Sequence, residues 1–269
     1  MPLLVRSWNV FHGNTDPPQR RAFLRQMVEL ATADDPDVLC LQELPAWALA
    51  HLASWTGMQV VADVAQPPRF GPLPWTAELG RAVTSVHHGL FRSAVAGQGN
   101  AILLASGIRL LERRTLVLNA RSFRAAQAEW LRLPLLPRLA WAKECRVCQA
   151  VRVELPDRRV GVVANLHTTA YHADQRLADA ELLRAAVFAD GLAESVHVCV
   201  VAGDFNVGSH RSSTQTELTT WGFSGGGSGI DQVRVRGARA SAVERWADDR
   251  RRLDGRLLSD HAPVEVRVE

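Results

Sequence analysis

Residues 196–202, Val-His-Val-Cys-Val-Val-Ala, constrain this 269-residue chain more than any other stretch. A nearly all-apolar run of that length, without polar alternation, reads as a strand covered on both faces. The final strand is different. Val264, Val266 and Val268 fall on one face, and Glu265 and Arg267 on the other, so that strand is half exposed.

Between these two, strand-like and helix-like stretches alternate. Residues 3–10, 37–42 and 101–104 read as strands, and residues 147–155 and 160–166 as a hairpin turning at Pro156-Asp157. Apolar residues recur with helical period from Phe23 to Ala31, after a start expected at Pro17-Pro18. Further helices are expected over 45–55 and 174–188. Helices mixed with buried and half-exposed strands imply an α/β fold of two packed sheets with helices outside. No repeat or linker divides residues 1–269, so one domain is expected.

The charge is close to balanced, at +3, and is carried by arginine with Lys143 as the sole lysine. That balance is mildly basic and too small to indicate a nucleic-acid partner by itself. No apolar run reaches the length of a membrane span. With no leader at Met1, and with Cys40, Cys145, Cys148 and Cys199 reading as reduced structural thiols, a cytoplasmic protein is expected.

The chemistry-bearing residues follow strand ends. Glu43 closes the run 37–42, His167 the run 160–166, and Asp204 and Asn206 follow 196–202. In α/β folds ligands gather beyond strand C-termini. A carboxylate there needs a cation or strong donors, and magnesium takes oxygen ligands. Asp204 can accept a proton or orient water, and the Asn206 amide can donate to a phosphate oxygen. Asp260 and His261 are adjacent, so in extended chain they point apart. Asp231 is the candidate to orient His261. Asn9, in the first strand, can hold Glu43 or a metal-bound water. Each of these also has a plain structural use, as a turn cap, a satisfied core polar group or a surface charge.

The set and its order resemble the endonuclease/exonuclease/phosphatase superfamily, also called DNase I-like. The matching pieces are Trp8-Asn9, the stretch from Pro36 to Glu43, Gly99-Asn100-Ala101-Ile102-Leu103, Asn165-Leu166-His167-Thr168, Gly203-Asp204-Phe205-Asn206, Gly229-Ile230-Asp231 and Ser259-Asp260-His261-Ala262-Pro263. The resemblance implies a four-layer α/β sandwich, with two mixed β-sheets flanked by helices. It implies a magnesium ion, or manganese in its place, held by Glu43 with Asn9 and Asp260 nearby. It also implies that Asp204 and Asn206 position water and phosphate, that Asp231 pairs with His261, and that His167 stabilises the phosphoryl group. Where some apurinic endonucleases carry an acidic residue two positions after the first-strand asparagine, this chain has Phe11, which weakens the case for a second metal.

The implied activity is phosphodiester hydrolysis by in-line water attack, with either His261 or Asp204 as the base. Two long segments bear on the substrate. Residues 63–98 contain Trp75, His87 and His88, and residues 119–143 interleave Arg121, Arg124, Arg132 and Arg138 with Phe123, Trp130 and Trp141. The second is either a nucleic-acid track or an amphipathic helix with solvated arginines. Arg234, Arg236, Arg239, Arg245 and Arg250 to Arg252 form another basic stretch. A nuclease is therefore the expected function. The alternatives are a small-molecule or lipid-headgroup phosphoesterase acting on an inositol phosphate or in the manner of a sphingomyelinase, and a non-catalytic protein of the same fold. The expected partner is the phosphodiester substrate, with nucleic acid as one candidate and no obligate protein partner.

Overall fold

In the computed structural model, described for residues 2–70, 73–86, 93–194, 196–227 and 229–269, two six-stranded sheets pack face to face. In chain order the first half runs β1 (Leu3–Asn9), α1 (Leu24–Thr32), β2 (Val38–Leu44), α2 (Leu52–Thr56), β3 (Gln59–Gln66), α3 (Ala77–Val86), β4 (Gln98–Leu104) and β5 (Arg109–Val117). The second half begins α4 (Arg121–Trp130), α5 (Leu135–Lys143), β6 (Val147–Glu154), β7 (Val160–His167), α6 (Arg176–Leu192) and β8 (Val198–Asp204). It ends α7 (Ser213–Thr220), β9 (Ser224–Gly225), β10 (Asp231–Arg236), β11 (Glu244–Arg245) and β12 (Val264–Val268).

One sheet has the order β11-β12-β1-β2-β4-β3, and the other β9-β10-β8-β7-β6-β5. Both are mixed. Each holds a parallel pair, β1 with β2 and β7 with β8, set among antiparallel neighbours. The parallel pairs require crossovers, and α1 and α6 supply them.

The apolar run in β8 is explained by these layers. Val198, Val200 and Ala202 face Val5, Cys40, Ile102 and Val266 between the sheets. Cys199 and Val201 point the other way, onto Leu182, Ala185 and Ala186 of α6. Across the sandwich, Leu39 and Leu41 of β2 pack on Leu24, Met27 and Val28 of α1. The order is helix, sheet, sheet, helix, the α/β sandwich expected from the sequence. A small polar network crosses the inter-sheet core: Gln42 Nε2 donates to Asn165 Oδ1 at 2.7 Å, and Asn165 Nδ2 donates to the carbonyls of Leu41 and Ala101.

Several local expectations change. The first helix begins at Leu24, not at Pro17. Asn14 Oδ1 accepts from the N–H groups of Thr15 and Gln19, and Thr15–Asp16 pairs with Leu257 and Leu258, so the two prolines lie in a tethered loop. Residues 45–55 form a 3-10 turn, Ala46–His51, before the short α2. Residues 119–143 fold as two helices; Trp141 is buried but Trp130 is 77% exposed. His87 and His88 lie outside the described residues. No helix among the described residues is long and apolar enough to cross a membrane.

Candidate active site

Strand register builds the site. In the second sheet His167 lies opposite Asp204 across the parallel β7–β8 pair, and Asp204 lies opposite Asp231 across the antiparallel β8–β10 pair. Directly opposed residues share a face, so these three side chains form one row. Asn9 ends β1 in the facing sheet, and its Nδ2 donates to Asp204 Oδ2 at 3.0 Å and to Glu43 Oε1 at 3.2 Å.

Glu43 reaches this row through a backbone irregularity. Strict alternation would send it outward with Leu39 and Leu41. Instead the β2–β4 register slips between Leu41 and Leu44, and Glu43 takes φ 55°. It therefore lies within the strand, at a bulge, and not after it as the sequence implied. Phe11, His12, Asn206 and Ser259 also take left-handed φ beside the site. Such strain persists only where the surroundings over-determine it. Gly203 has a different reason: a Cβ there would lie 1.9 Å from the Leu166 carbonyl oxygen.

The charges are arranged around one buried acid. Burial raises the Asp204 carboxyl to about 7, with Asp231 adding to the rise and His261 opposing it. Burial raises Glu43 as well, while Arg146 and the Asn9 bond pull it back. For His261, burial opposes the charged form, but Asp204 and the Asp231 hydrogen bond prevail and raise it to about 10. Its Nδ1 lies 2.9 Å from Asp231, and its Nε2 lies 3.8 Å from Asp204. Burial first, and then the charge of Arg146, holds His167 well below the usual imidazole range, so it is neutral.

The His167 tautomer follows from its neighbours. Arg146 Nη1 can only donate and lies 3.0 Å from Nδ1 and 3.3 Å from Nε2, while the Gln98 amide approaches Nδ1 alone and two carboxylates face Nε2. Nδ1 accepts, so Nε2 carries the proton toward Asp204 Oδ2 at 3.5 Å and Glu43 Oε1 at 3.7 Å. Asn206 donates through Nδ2 to the Thr168 carbonyl, leaving its second amide hydrogen for another acceptor. Asp260 is exposed at the rim, close enough for its charge to raise both Glu43 and His261.

Arg146, His12 and Gln98 were not singled out from the sequence. Arg146 is buried, donates to Glu144 and Gln98, and with Glu43 and His12 lines a pocket of about 450 Å³. Its only sequence signal was a cation between two cysteines at the start of a strand. The C-terminal basic stretch is mostly structural. Arg234 is buried on Gln215, Arg236 pairs with Asp190, Arg250 with Asp34 and Glu265, and Arg251 caps the carbonyls of Leu258 and Ser259.

A sequence profile of the Endonuclease/Exonuclease/phosphatase family matches residues 7–261, from within β1 to His261. The chain belongs to the endonuclease/exonuclease/phosphatase family. Members of this family are generally hydrolases of phosphoesters and generally depend on a divalent metal. No curated protein sequence matches the chain. Among solved structures, the human Nocturnin catalytic domain is similar at TM-score 0.68 and 15% identity, covering 100% of this chain and 93% of that one. A humanized TDP2 from D. rerio is similar at 0.61 and 14%, with 100% and 99% covered. A mannosyl-6-phosphatase from Bacteroides thetaiotaomicron is similar at 0.62 and 14%, with 99% of both chains covered. At these identities the likeness is one of fold.

The donor set suits the family's cation. Glu43 and Asp204, both carboxylates in a buried site, converge on a single Asn9 amide, and an oxygen-seeking divalent ion would relieve their repulsion. Asp204, Asp231 and His261 also present ligand atoms within 4.8 Å of one another. There, however, the Asp231 hydrogen bond occupies His261 Nδ1, so this trio is better suited to proton handling than to ligation.

Proposed function

We propose that this chain is a divalent-metal-dependent phosphodiesterase that hydrolyses its substrate by in-line attack of water. The observation that carries it is the row of His167, Asp204 and Asp231 facing Asn9 and Glu43, with His261 held between two carboxylates. A divalent ion held by Glu43, with Asp260 and Asn9 beside it, would offset charge on the phosphoryl oxygens and the leaving group.

Flanked by Asp204 and Asp231, His261 is set up as an imidazolium, donating from Nε2 to a phosphoryl oxygen. Asp204 then takes the proton from the attacking water, and Asn9 holds its carboxylate in place. Of the two bases left open by the sequence, the geometry therefore favours Asp204. Asn206 offers its free amide hydrogen to the phosphate. Neutral His167 acts as a fixed donor between Glu43 and Asp204, and Arg146 supplies positive charge to the adjoining pocket.

The nuclease expectation loses the support of Arg234, Arg236, Arg250 and Arg251, whose side chains are engaged within the fold. A concave pocket of about 450 Å³ beside Glu43 favours, as a second reading, a compact phosphorylated headgroup. The mannosyl-6-phosphatase of the same fold is in keeping with it. Both are tested by a phosphoester panel of nucleic acids, lipid headgroups and inositol phosphates. It is run with magnesium, manganese, calcium or chelator on wild type and Glu43→Gln. We expect turnover that chelator abolishes and that Glu43→Gln lowers by ~10²-fold or more. No metal-dependent turnover on any substrate would overturn the proposal.

A further inference from the structure

We propose that Arg69, Arg121, Arg124 and Lys143 form a second anion pocket, which binds an additional phosphate group of the substrate next to the catalytic pocket. As a substrate subsite it rests on the phosphoesterase reading above. As an anion site it stands on its own geometry.

The four cations line one cavity of about 300 Å³ with no carboxylate in its wall. None of them makes an ion pair with a carboxylate among the described residues. By contrast Arg25, Arg109, Arg158, Arg159 and Arg176 each pair with a nearby acid. Like charges gathered around a small cavity repel one another, and an anion placed among them reverses the sign of that energy. The wall also includes the start of α4. Ala120 is its N-cap and makes no side-chain capping bond, so the helix presents unsatisfied N–H groups beside Arg121 and Arg124. Arg132 and Arg138 of the same segment do not line this cavity, and Arg138 is committed to the Leu133 carbonyl.

Lys143, the last residue of α5, lines both this cavity and the pocket that holds Glu43 and Arg146. The two pockets therefore share Lys143 in their walls, so a phosphate bound here lies next to the pocket where the reacting phosphate would lie. The ligand chemistry is a phosphodiester carrying a second phosphate. It can come from the adjacent backbone phosphate of a nucleic-acid strand or from a small, multiply phosphorylated molecule.

The test has two parts, both on the full chain. In chelator, inorganic pyrophosphate is titrated calorimetrically into wild type, Glu43→Gln and the double variant Arg121→Ala/Arg124→Ala. Binding by the first two, weakened ~10-fold or more in the double variant, supports the site. Equal binding by all three, or none by wild type, overturns it. With magnesium, kcat/KM is compared for paired substrates with and without the extra phosphate. One pair is dithymidylate with or without a terminal phosphate. The other is a p-nitrophenyl phosphodiester of glycerol with or without a second phosphate. A preference of ~10-fold or more for the extra phosphate in wild type, collapsing toward unity in the double variant, is expected. The arm that shows it identifies the source. A preference absent in wild type, or kept by the double variant, overturns the substrate role. Absence of turnover in every arm overturns the phosphoesterase reading instead, and the pyrophosphate titration still decides the pocket. Should the double variant unfold, Arg121→Glu, at an exposed position, replaces it in both parts.

Discussion

The Nδ1 of His261 lies 2.9 Å from both carboxylate oxygens of Asp231, a residue 30 positions earlier in the chain. That contact fixes which imidazole nitrogen faces the site. It leaves Nε2 directed at Asp204, and it places the imidazole between two acids. The consequences can be measured.

Loss of individual groups should separate chemistry from folding. Glu43→Gln, Asp204→Asn and His261→Ala are each expected to lower kcat by ~10²–10⁴-fold while leaving the circular dichroism spectrum intact. Asp231→Asn should lower kcat too, because it weakens the hold on His261 Nδ1. Near-wild-type turnover by a folded His261→Ala protein would remove His261 from the mechanism.

Stability in chelator should fall as pH rises above neutrality. His261 has an ordinary value of 6.5 and a folded value raised to about 10. The folded state keeps a proton that the unfolded chain has released. Its contribution is thus complete below 6.5 and is lost as pH rises through about 10. Asp204, raised from 3.8 to about 7, acts in the same direction at lower pH. Thermal midpoints of wild type and His261→Gln should therefore lie furthest apart near the lower end of that window and converge toward its upper end. For a chain of this size ~1 kcal/mol moves the midpoint by ~2–4 °C. A gap that does not change with pH would contradict the assignment.

Gly203 should tolerate no side chain. A Cβ would lie 1.9 Å from the Leu166 carbonyl oxygen, inside the parallel β7–β8 pair, at φ 144°. Gly203→Ala is expected to cost about 3 kcal/mol or more in urea unfolding and to displace the neighbouring Asp204. A wild-type urea midpoint would show that the strand pair gives way easily.

Away from the site, Arg6 is fully buried in β1 and bridges Glu265 and Asp34, donating to each at 2.6 Å. Arg6→Met leaves the buried Glu265 with only the longer 3.4 Å contact to the half-exposed Arg250 as a cation among the described residues, and losing a buried partner of this kind typically costs ~3–5 kcal/mol. Arg6→Met combined with Glu265→Gln should recover part of the loss, because the poorly compensated buried charge is gone. Equal urea midpoints for the single and double variants would count against this account.

Much of this protein was legible in the sequence. The apolar run before Gly203-Asp204 implied a doubly covered strand because side-chain alternation is local, decided within two residues. The ordered motifs from Asn9 to His261 named the residues that the structure brings together. The sequence could not tell how Glu43 turns inward, since its bulge depends on the register with β4. It could not tell that Gln98, Arg146 and the facing carboxylates set the His167 tautomer, or that Arg234, Arg236, Arg250 and Arg251 are engaged within the fold while Arg121 and Arg124 make no ion pair with an acid among the described residues. Those outcomes depend on contacts between residues far apart in the chain. Local pattern determined which groups the chain offers, and tertiary packing decided which charges stay buried, which are neutralised and which still face a ligand.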